Sequence, residues 1–448
     1  MIASKNYNKN KTKHKDIQHN CKISEEINAD NDCDSDFDEK SAAFIIENRN
    51  LTLLPVCGIF GPNASGKSNV LRALETLLDI IYFGSSNEIK WINHLDPFHF
   101  TSNENNTPTE FELQIVCQGN IYRYSLSSFD THIVSETLDF VPIGSKTYRF
   151  QNLFKRKYSQ EKNRIELTNA SPRLGKEFSI FTKLASTTQP LISTLIKLDI
   201  QDISPFSSWI MSRNIDVFLT GAESRRGFLA DLIHKSEEVN QTLVNFLSMF
   251  DIDIDKFVAF EDNSAKSKKS DETNKKQKYY LFTERVPKSS DDIGVNGKLL
   301  SFSDESEGTQ YLMLRAIDII RALRTGGLLC IDELDSHLHP KITRKIIELF
   351  KSRKHNTNGA QLIFSSHDYT LMRTLNRDEI WLTEKLRDKS TSLFPISDYS
   401  IRNDLLIDKA YMEGRFGAIP VIKSSIEVIK EIQELYPEGL GINDTKNV

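Results

Sequence analysis

Residues Gly61-Pro62-Asn63-Ala64-Ser65-Gly66-Lys67-Ser68 spell a complete G-x-x-x-x-G-K-[ST] loop, which constrains the fold more than any other stretch of this chain. Such a loop works only between a strand and a helix. Its backbone N–H groups must converge on one anion while the positive end of the helix dipole points at it. The flanks supply both elements. Leu53 to Phe60 is an apolar run with the length of a buried strand, and Asn69 to Leu78 places its apolar residues at helical spacing. The loop therefore predicts a polyphosphate ligand, with Lys67 reaching the β- and γ-phosphates and the Ser68 hydroxyl ligating Mg2+. A glycine-rich turn without function does not require this order of elements.

Three further stretches bear on the same chemistry. Gly326 to Glu333 is an apolar strand ending in two carboxylates, Asp332 and Glu333. At the carboxyl end of a parallel strand, Asp332 is placed to hold Mg2+ through water and Glu333 to polarise an attacking water. Ala360 to Ser365 is a third strand, followed by Ser366, His367 and Asp368. A lone His at a strand end is commonly a packing residue; its order after the acidic strand favours a γ-phosphate contact. Between these strands, Lys341 to Phe350 reads as an amphipathic crossover helix. Upstream, Ser306-Glu307-Gly308-Thr309-Gln310 precedes a helix running from Tyr311 to Ile320. On its own this is an ordinary helix cap; ahead of an acidic strand it is a second anion-binding helix start.

The order of phosphate loop, signature helix, acidic strand, Leu334-Asp335-Ser336-His337 turn and His367 resembles the ABC-type ATPases. Within them the chain is similar to the AAA family ATPases of bacterial abortive-infection and restriction-linked systems, the AbiLi/RloA-like group. The narrower resemblance rests on Pro97-Phe98, Ser306 to Gln310, Ile331 to Pro340, Ala360 to Asp368 and Tyr411 to Pro420. It implies an α/β fold: an ABC-type P-loop NTPase head with a flanking antiparallel β subdomain and an inserted helical lid. It also implies ATP and Mg2+ as cofactors. The nucleotide contacts carried over are Gly61, Pro62, Asn63, Ala64, Ser65, Gly66, Lys67, Ser68 and Asn69, joined by Ser306, Gly308 and Thr309 of the signature. Ser68 and Asp332 take the metal, and Glu333 and His367 the hydrolysis. In such ATPases the signature contacts the nucleotide held by a second copy. One loop and one signature per chain therefore imply a homodimer with composite sites, coupled through Asp335. Members of the group open with an Asn-Phe-x-Ser-Phe strand that has no counterpart before Ala43, and the Q-loop candidate is Gln114.

At 448 residues, 39% hydrophobic and 27% charged, the chain has the apolar content for a sizeable core and two to three structural units. No run approaches the roughly 18 apolar residues of a membrane span, and the first residues lack the apolar centre of a signal peptide. The five cysteines, Cys21, Cys33, Cys57, Cys117 and Cys330, are odd in number and fit no zinc spacing, as expected of a reduced, cytoplasmic protein. A net charge of −5 argues against a uniformly basic nucleic-acid binder while leaving room for a local patch.

Residues 1–42 read as a polar, disordered tail; its Asp30, Asp32, Asp34 and Asp36 lack the glycine and closing glutamate of a calcium loop. Residues 43–150 carry the first half of the ATPase head, with antiparallel strands at Thr109 to Cys117 and Asn120 to Leu126. Residues 151–260 read as the helical lid, with Ile192, Leu195, Ile196 and Leu198 on one face and Leu229, Leu232 and Ile233 on another. No heptad run is sustained there, which excludes a long coiled-coil arm. Residues 261–425 carry the second half of the head, and 426–448 a C-terminal helix and tail. The Lys-rich stretch from Asn263 to Lys278 is either a solvated hairpin loop or a contact to nucleic-acid phosphates. Past Asp398 there is no nuclease-like acidic cluster and no Cys/His set. An effector activity would then belong to a separate, nuclease- or toxin-like partner protein docked near Arg415. Two functions remain open: an ATPase that gates such an effector in antiphage defence, or a DNA-binding ATPase of recombination and repair.

Overall fold

The computed structural model describes residues 44–46, 51–85, 108–129, 132–145, 147–175, 178, 186–198, 200, 202–211, 214–216, 222–261, 279–286, 297–402 and 405–420. The tail, Pro97-Phe98, the bulk of the Lys-rich insert and the helix expected after residue 425 lie outside the described residues.

A short antiparallel pair, β1 (Phe44–Ile46) and β2 (Leu51–Leu53), precedes β3 (Val56–Phe60), the phosphate loop and α1 (Lys67–Phe83). Five antiparallel strands follow: β4 (Thr109–Cys117), β5 (Asn120–Phe129), β6 (His132–Val141), β7 (Gln151–Ser159) and β8 (Arg164–Ala170). Helices α2 (Leu191–Leu195) and α3 (Ser204–Met211) lead to β9 (Asn214–Asp216). Helices α4 (Ala222–Lys235) and α5 (Glu237–Ser248) lead to a small antiparallel sheet of β10 (Lys256–Glu261), β11 (Tyr279–Arg285) and β12 (Lys298–Ser301). The remainder runs α6 (Glu307–Thr325), β13 (Leu328–Ile331), α7 (Pro340–Lys351), β14 (Gln361–Ser365), β15 (Ile380–Lys385), β16 (Thr391–Pro395) and α8 (Ile407–Met412).

Six strands form the central sheet in the order β16-β15-β3-β14-β13-β9, parallel throughout except for the β15–β16 hairpin. Every residue of β3, β13 and β14 is buried, as expected of parallel strands covered on both faces. The period of two then sorts their side chains into two cores. Val56, Phe60, Leu329, Ile331, Leu362 and Phe364 pack with α4 to α7. Cys57, Ile59, Leu328, Cys330 and Ile363 pack with α1, α2, α3 and the five-stranded sheet. This is an α/β fold, a mainly parallel sheet that carries the phosphate loop, with a flanking antiparallel subdomain.

Two readings of residues 151–260 are corrected. The antiparallel sheet continues through β7 and β8 to Ala170, past the boundary expected at 150. β8 has no fully buried residue; Ile165 and Ala170 pack against the core from partly buried positions, and its ladder to β7 holds it in place. The inserted helices are also divided: α2 and α3 lie on the α1 side of the central sheet, and α4 and α5 on the other. Between them, β9 pairs with β13 at the sheet edge.

A buried carboxylate fixes the first of these helix groups. Glu136 on β6 accepts from Tyr124 Oη at 3.0 Å, Arg156 Nε at 2.6 Å and the backbone N–H groups of Leu191 and Ile192 at 2.9 Å each. One side chain thus joins three strands to the start of α2, its charge matched by Arg156.

Candidate functional site

The phosphate loop leaves β3 and enters α1 at Gly66, whose φ of 109° lies in the left-handed region. A Cβ at Gly66 would collide with Thr391 on β16, so the position needs glycine for space as well as for backbone. No side chain caps α1 and no acidic residue stands in its first turn, so its first N–H groups are presented to an anion. Lys67 is buried and donates to the carbonyls of Gly61 at 2.9 Å and Pro62 at 3.2 Å. Burial lowers its pKa, while the negative charges of Asp332, Glu333 and Asp335 act in the opposite direction. The loop follows β3 and the three carboxylates follow β13, its parallel neighbour across β14, so both leave the same edge of the sheet.

The ends of β13 and β14 are stitched together. Ser365 Oγ donates to Asp332 Oδ1 at 2.5 Å and accepts from the Glu333 N–H at 2.8 Å, while the Leu334 N–H donates to the Ser365 carbonyl at 3.0 Å. These bonds hold Glu333 at a φ of 52°, a left-handed conformation that costs a residue bearing a Cβ about 1–2 kcal/mol. The Glu333 carboxylate accepts from Ser336 Oγ at 3.0 Å, and His367 Nε2 lies 3.7 Å from its other oxygen. Half of the Glu333 side chain (51%) remains exposed, so water reaches it. Asp335 accepts from the backbone N–H groups of His367 and Asp368, both at 3.2 Å. Its carboxylate is therefore engaged within its own chain, where it fixes the loop carrying His367.

The signature turn is built beside this cluster. Ser306 caps α6, accepting from the Thr309 N–H at 3.2 Å and contacting Thr309 Oγ1 at 2.8 Å. Gly308 packs so closely on the turn after β13 that an added Cβ would lie 2.5 Å from the His337 carbonyl oxygen. Below it, buried Glu305 accepts from Thr283 Oγ1 at 2.6 Å and from Arg285 Nη2 at 2.9 and 2.8 Å, which anchors the turn to β11. Among the described residues no hydrogen bond joins Ser306, Gly308 or Thr309 to the phosphate loop. Gln114 is not brought to the site either; it lies on β4 and donates to Glu112 at 3.3 Å.

The sequence reading missed the β15–β16 hairpin. Thr383 Oγ1 contacts Ser65 Oγ at 2.6 Å and donates to the Phe60 carbonyl at 3.2 Å; Thr391 Oγ1 donates to the Ser65 carbonyl at 2.9 Å. The signal available was slight: a threonine on each arm of a hairpin, more than 300 residues from the loop it touches. Ser365 was at least marked out by its place at the end of an apolar strand.

The donor set suits Mg2+ carried by a polyphosphate. Among the described residues no three or more His, Cys, Asp or Glu side chains converge to make a metal cage. Mg2+ is commonly held by one or two protein oxygens and completed by phosphates and water. The Ser68 hydroxyl and the second oxygen of Asp332 can fill those places.

Residues 56–373 match the family model described as "AAA domain, putative AbiEii toxin, Type IV TA system". Over 168 residues the chain is 26% identical to "Retron Vc95 probable ATPase" of Vibrio cholerae serotype O1 biovar El Tor, covering 35% of this chain and 32% of that relative. The chain thus spans about a third of that relative's length. An SMC head bound to the C-winged helix domain of ScpA is 12% identical with a TM-score of 0.33, covering 77% of this chain and 91% of that one. The SMC head domain from Thermotoga maritima is 13% identical with a TM-score of 0.29, covering 75% and 89%. The recombination mediator protein RecF bound to ATPrS is 14% identical with a TM-score of 0.27, covering 77% and 93%.

Proposed function

The chain belongs to this AAA domain family, whose model matches residues 56–373, and on that premise we propose that it hydrolyses ATP to ADP and phosphate as a cytoplasmic, nucleotide-dependent homodimer that gates an effector protein in antiphage defence. The observation that carries the reading is that the phosphate loop after β3 and Asp332 and Glu333 after β13 leave the same edge of one parallel sheet, with His367 beside Glu333.

The geometry supports the following roles. The loop N–H groups and Lys67 hold the β- and γ-phosphates, Lys67 exchanging the Gly61 and Pro62 carbonyls for phosphate oxygens. Ser68 and Asp332 would hold Mg2+, which would supply neutralisation of charge on those oxygens. Glu333 accepts a hydrogen bond from water and aligns it in line with the bond between the γ-phosphorus and its bridging oxygen. The water's oxygen bonds to the γ-phosphorus as the bond to the bridging oxygen breaks, ADP leaves with that bond's electron pair, and one water proton passes through Glu333 to solvent while the other stays on the released phosphate. His367, whose Nε2 lies 3.7 Å from the Glu333 carboxylate, is assigned the contact to the γ-phosphate.

Dimerisation is supported by the signature. Ser306 stands exposed and Thr309 half-buried at the start of a 19-residue helix, with no bond to their own phosphate loop among the described residues, a placement that suits capping of a phosphate held by a second copy. The effector is supported by a cleft of about 630 Å³ lined by Tyr399, Ile401, Leu405, Ala410 and Phe416, with Arg402, Lys409 and Arg415 on its wall. β16 reaches both sites. It carries Thr391, and its Phe394 packs 6.1 Å from Tyr399, whose hydroxyl donates to the Phe416 carbonyl at 3.0 Å. The toxin–antitoxin description of the family and the retron ATPase relative favour a defence setting.

A tagged Glu333→Gln chain, recovered from its native host with ATP bound, tests this. The expected result is a co-purified effector protein in fixed ratio to the chain. DNA recovered with no protein partner would overturn the effector reading and favour recombination or repair.

A further inference from the structure

The hairpin threonines do more than pack the phosphate loop. Thr383 Oγ1 donates to the Phe60 carbonyl at 3.2 Å, which uses its one proton. Ser65 must then be the donor in the 2.6 Å Ser65–Thr383 contact, so the Ser65 hydroxyl proton is turned toward the hairpin. Thr391 Oγ1 donates to the Ser65 carbonyl at 2.9 Å. In a trans peptide C=O and N–H point in opposite directions, and no peptide described here is cis. With the Phe60 and Ser65 carbonyls both tied to the hairpin, the N–H groups of Gly61 and Gly66 are turned away from it and into the loop.

We propose that Thr383 and Thr391 are positioning residues for the nucleotide: the β15–β16 hairpin sets the direction of two peptide planes whose N–H groups receive the phosphates. Neither residue belongs to the loop motif. The inference rests on the ATP-binding reading above and extends the site to a segment whose position depends on long-range strand pairing. The hairpin has a firm place from which to act, because β15 is hydrogen-bonded to β3 in register, Leu382 opposite Phe60. A loop without these ties has to select the phosphate-binding orientation of its peptides at the moment of binding, and its affinity falls by the population of that orientation.

The test uses the full chain as wild type, Thr391→Val, Thr391→Ser and Thr383→Val. Titration with Mg2+–ADP by calorimetry gives the Kd, and steady-state turnover of Mg2+–ATP gives KM and kcat. Valine has the shape of threonine and suits a strand, and the thermal midpoint of each variant reports whether it folds. Should buried Thr383→Val not fold, half-buried Thr391→Val carries the test. Each valine is expected to raise Kd and KM about fivefold, the equivalent of one hydrogen bond of about 1 kcal/mol, and to move KM more than kcat. Thr391→Ser keeps the hydroxyl and is expected to restore the wild-type Kd. A Thr391→Val chain with wild-type Kd and KM would overturn the proposal, as would a serine variant weakened as much as the valine. A wild-type chain that binds neither ADP nor ATP would instead refute the ATP reading itself, and this inference with it.

Discussion

Removing one hydroxyl, in Ser365→Ala, should uncouple nucleotide binding from turnover. Ser365 Oγ makes two bonds to the acidic turn, donating to Asp332 at 2.5 Å and accepting from the Glu333 N–H at 2.8 Å. The first is charge-assisted and worth about 1.5–3 kcal/mol, the second about 1 kcal/mol. Against them stands the left-handed backbone of Glu333, which costs about 1–2 kcal/mol. With the hydroxyl gone, the bonds left at the turn are the Leu334 N–H to the Ser365 carbonyl at 3.0 Å, the Ser336 N–H to the Glu333 carbonyl at 2.9 Å and Ser336 Oγ to the Glu333 carboxylate at 3.0 Å, and of these only the first ties the turn to β14. The strain is then opposed by fewer ties to the neighbouring strand, so Glu333 spends more of its time out of line. Steady-state phosphate release should fall about 10- to 100-fold in kcat, a barrier rise of about 1.4–2.7 kcal/mol. Lys67 and the loop carbonyls are untouched, so the Kd for ADP, measured by titration, should stay within about threefold of wild type. A folded Ser365→Ala chain whose kcat lies within about twofold of wild type would refute the reasoning.

Three other outcomes are expected. Gly308→Ala places a Cβ 2.5 Å from the His337 carbonyl and should cost about 1–3 kcal/mol while lowering turnover; an unchanged thermal midpoint and kcat would show that the turn yields freely. Glu136→Ala strands buried Arg156 without its carboxylate and should cost about 3–5 kcal/mol in denaturant unfolding, far from the site; a loss below about 1 kcal/mol would contradict the role given to this ion pair. Chelation with EDTA should abolish ATP turnover without shifting the thermal midpoint of the nucleotide-free chain, because the described residues form no metal cage; a large destabilisation would reveal a structural metal.

The parts of the site legible in the sequence are those whose residues are contiguous. Gly61 to Ser68 and Cys330 to Glu333 each carry their function within one turn of chain, and the apolar runs before them identify their strands. The ties between these segments were not legible. Asp335 reads as a residue for a neighbouring subunit, yet its carboxylate closes the His367 loop, a contact made only once β13 and β14 lie side by side. Thr383 and Thr391 carry no local pattern that aims them at the phosphate loop; the pairing of β15 with β3 does that. β8 was likewise not assigned, since it adds only the partly buried Ile165 and Ala170 to the core and is held by its ladder to β7. The helices after it were legible as helices, but their division between two faces depends on β9, a three-residue strand too short to announce itself.

The central claim is that two copies complete each other's ATP sites, and turnover per chain measured across a dilution series from micromolar to nanomolar protein tests it most directly. The account predicts that specific activity falls on dilution as the dimer dissociates, and that Ser306→Arg, which obstructs the signature turn, abolishes turnover at every concentration while ADP still binds. Constant specific activity from a chain that remains monomeric throughout would contradict it.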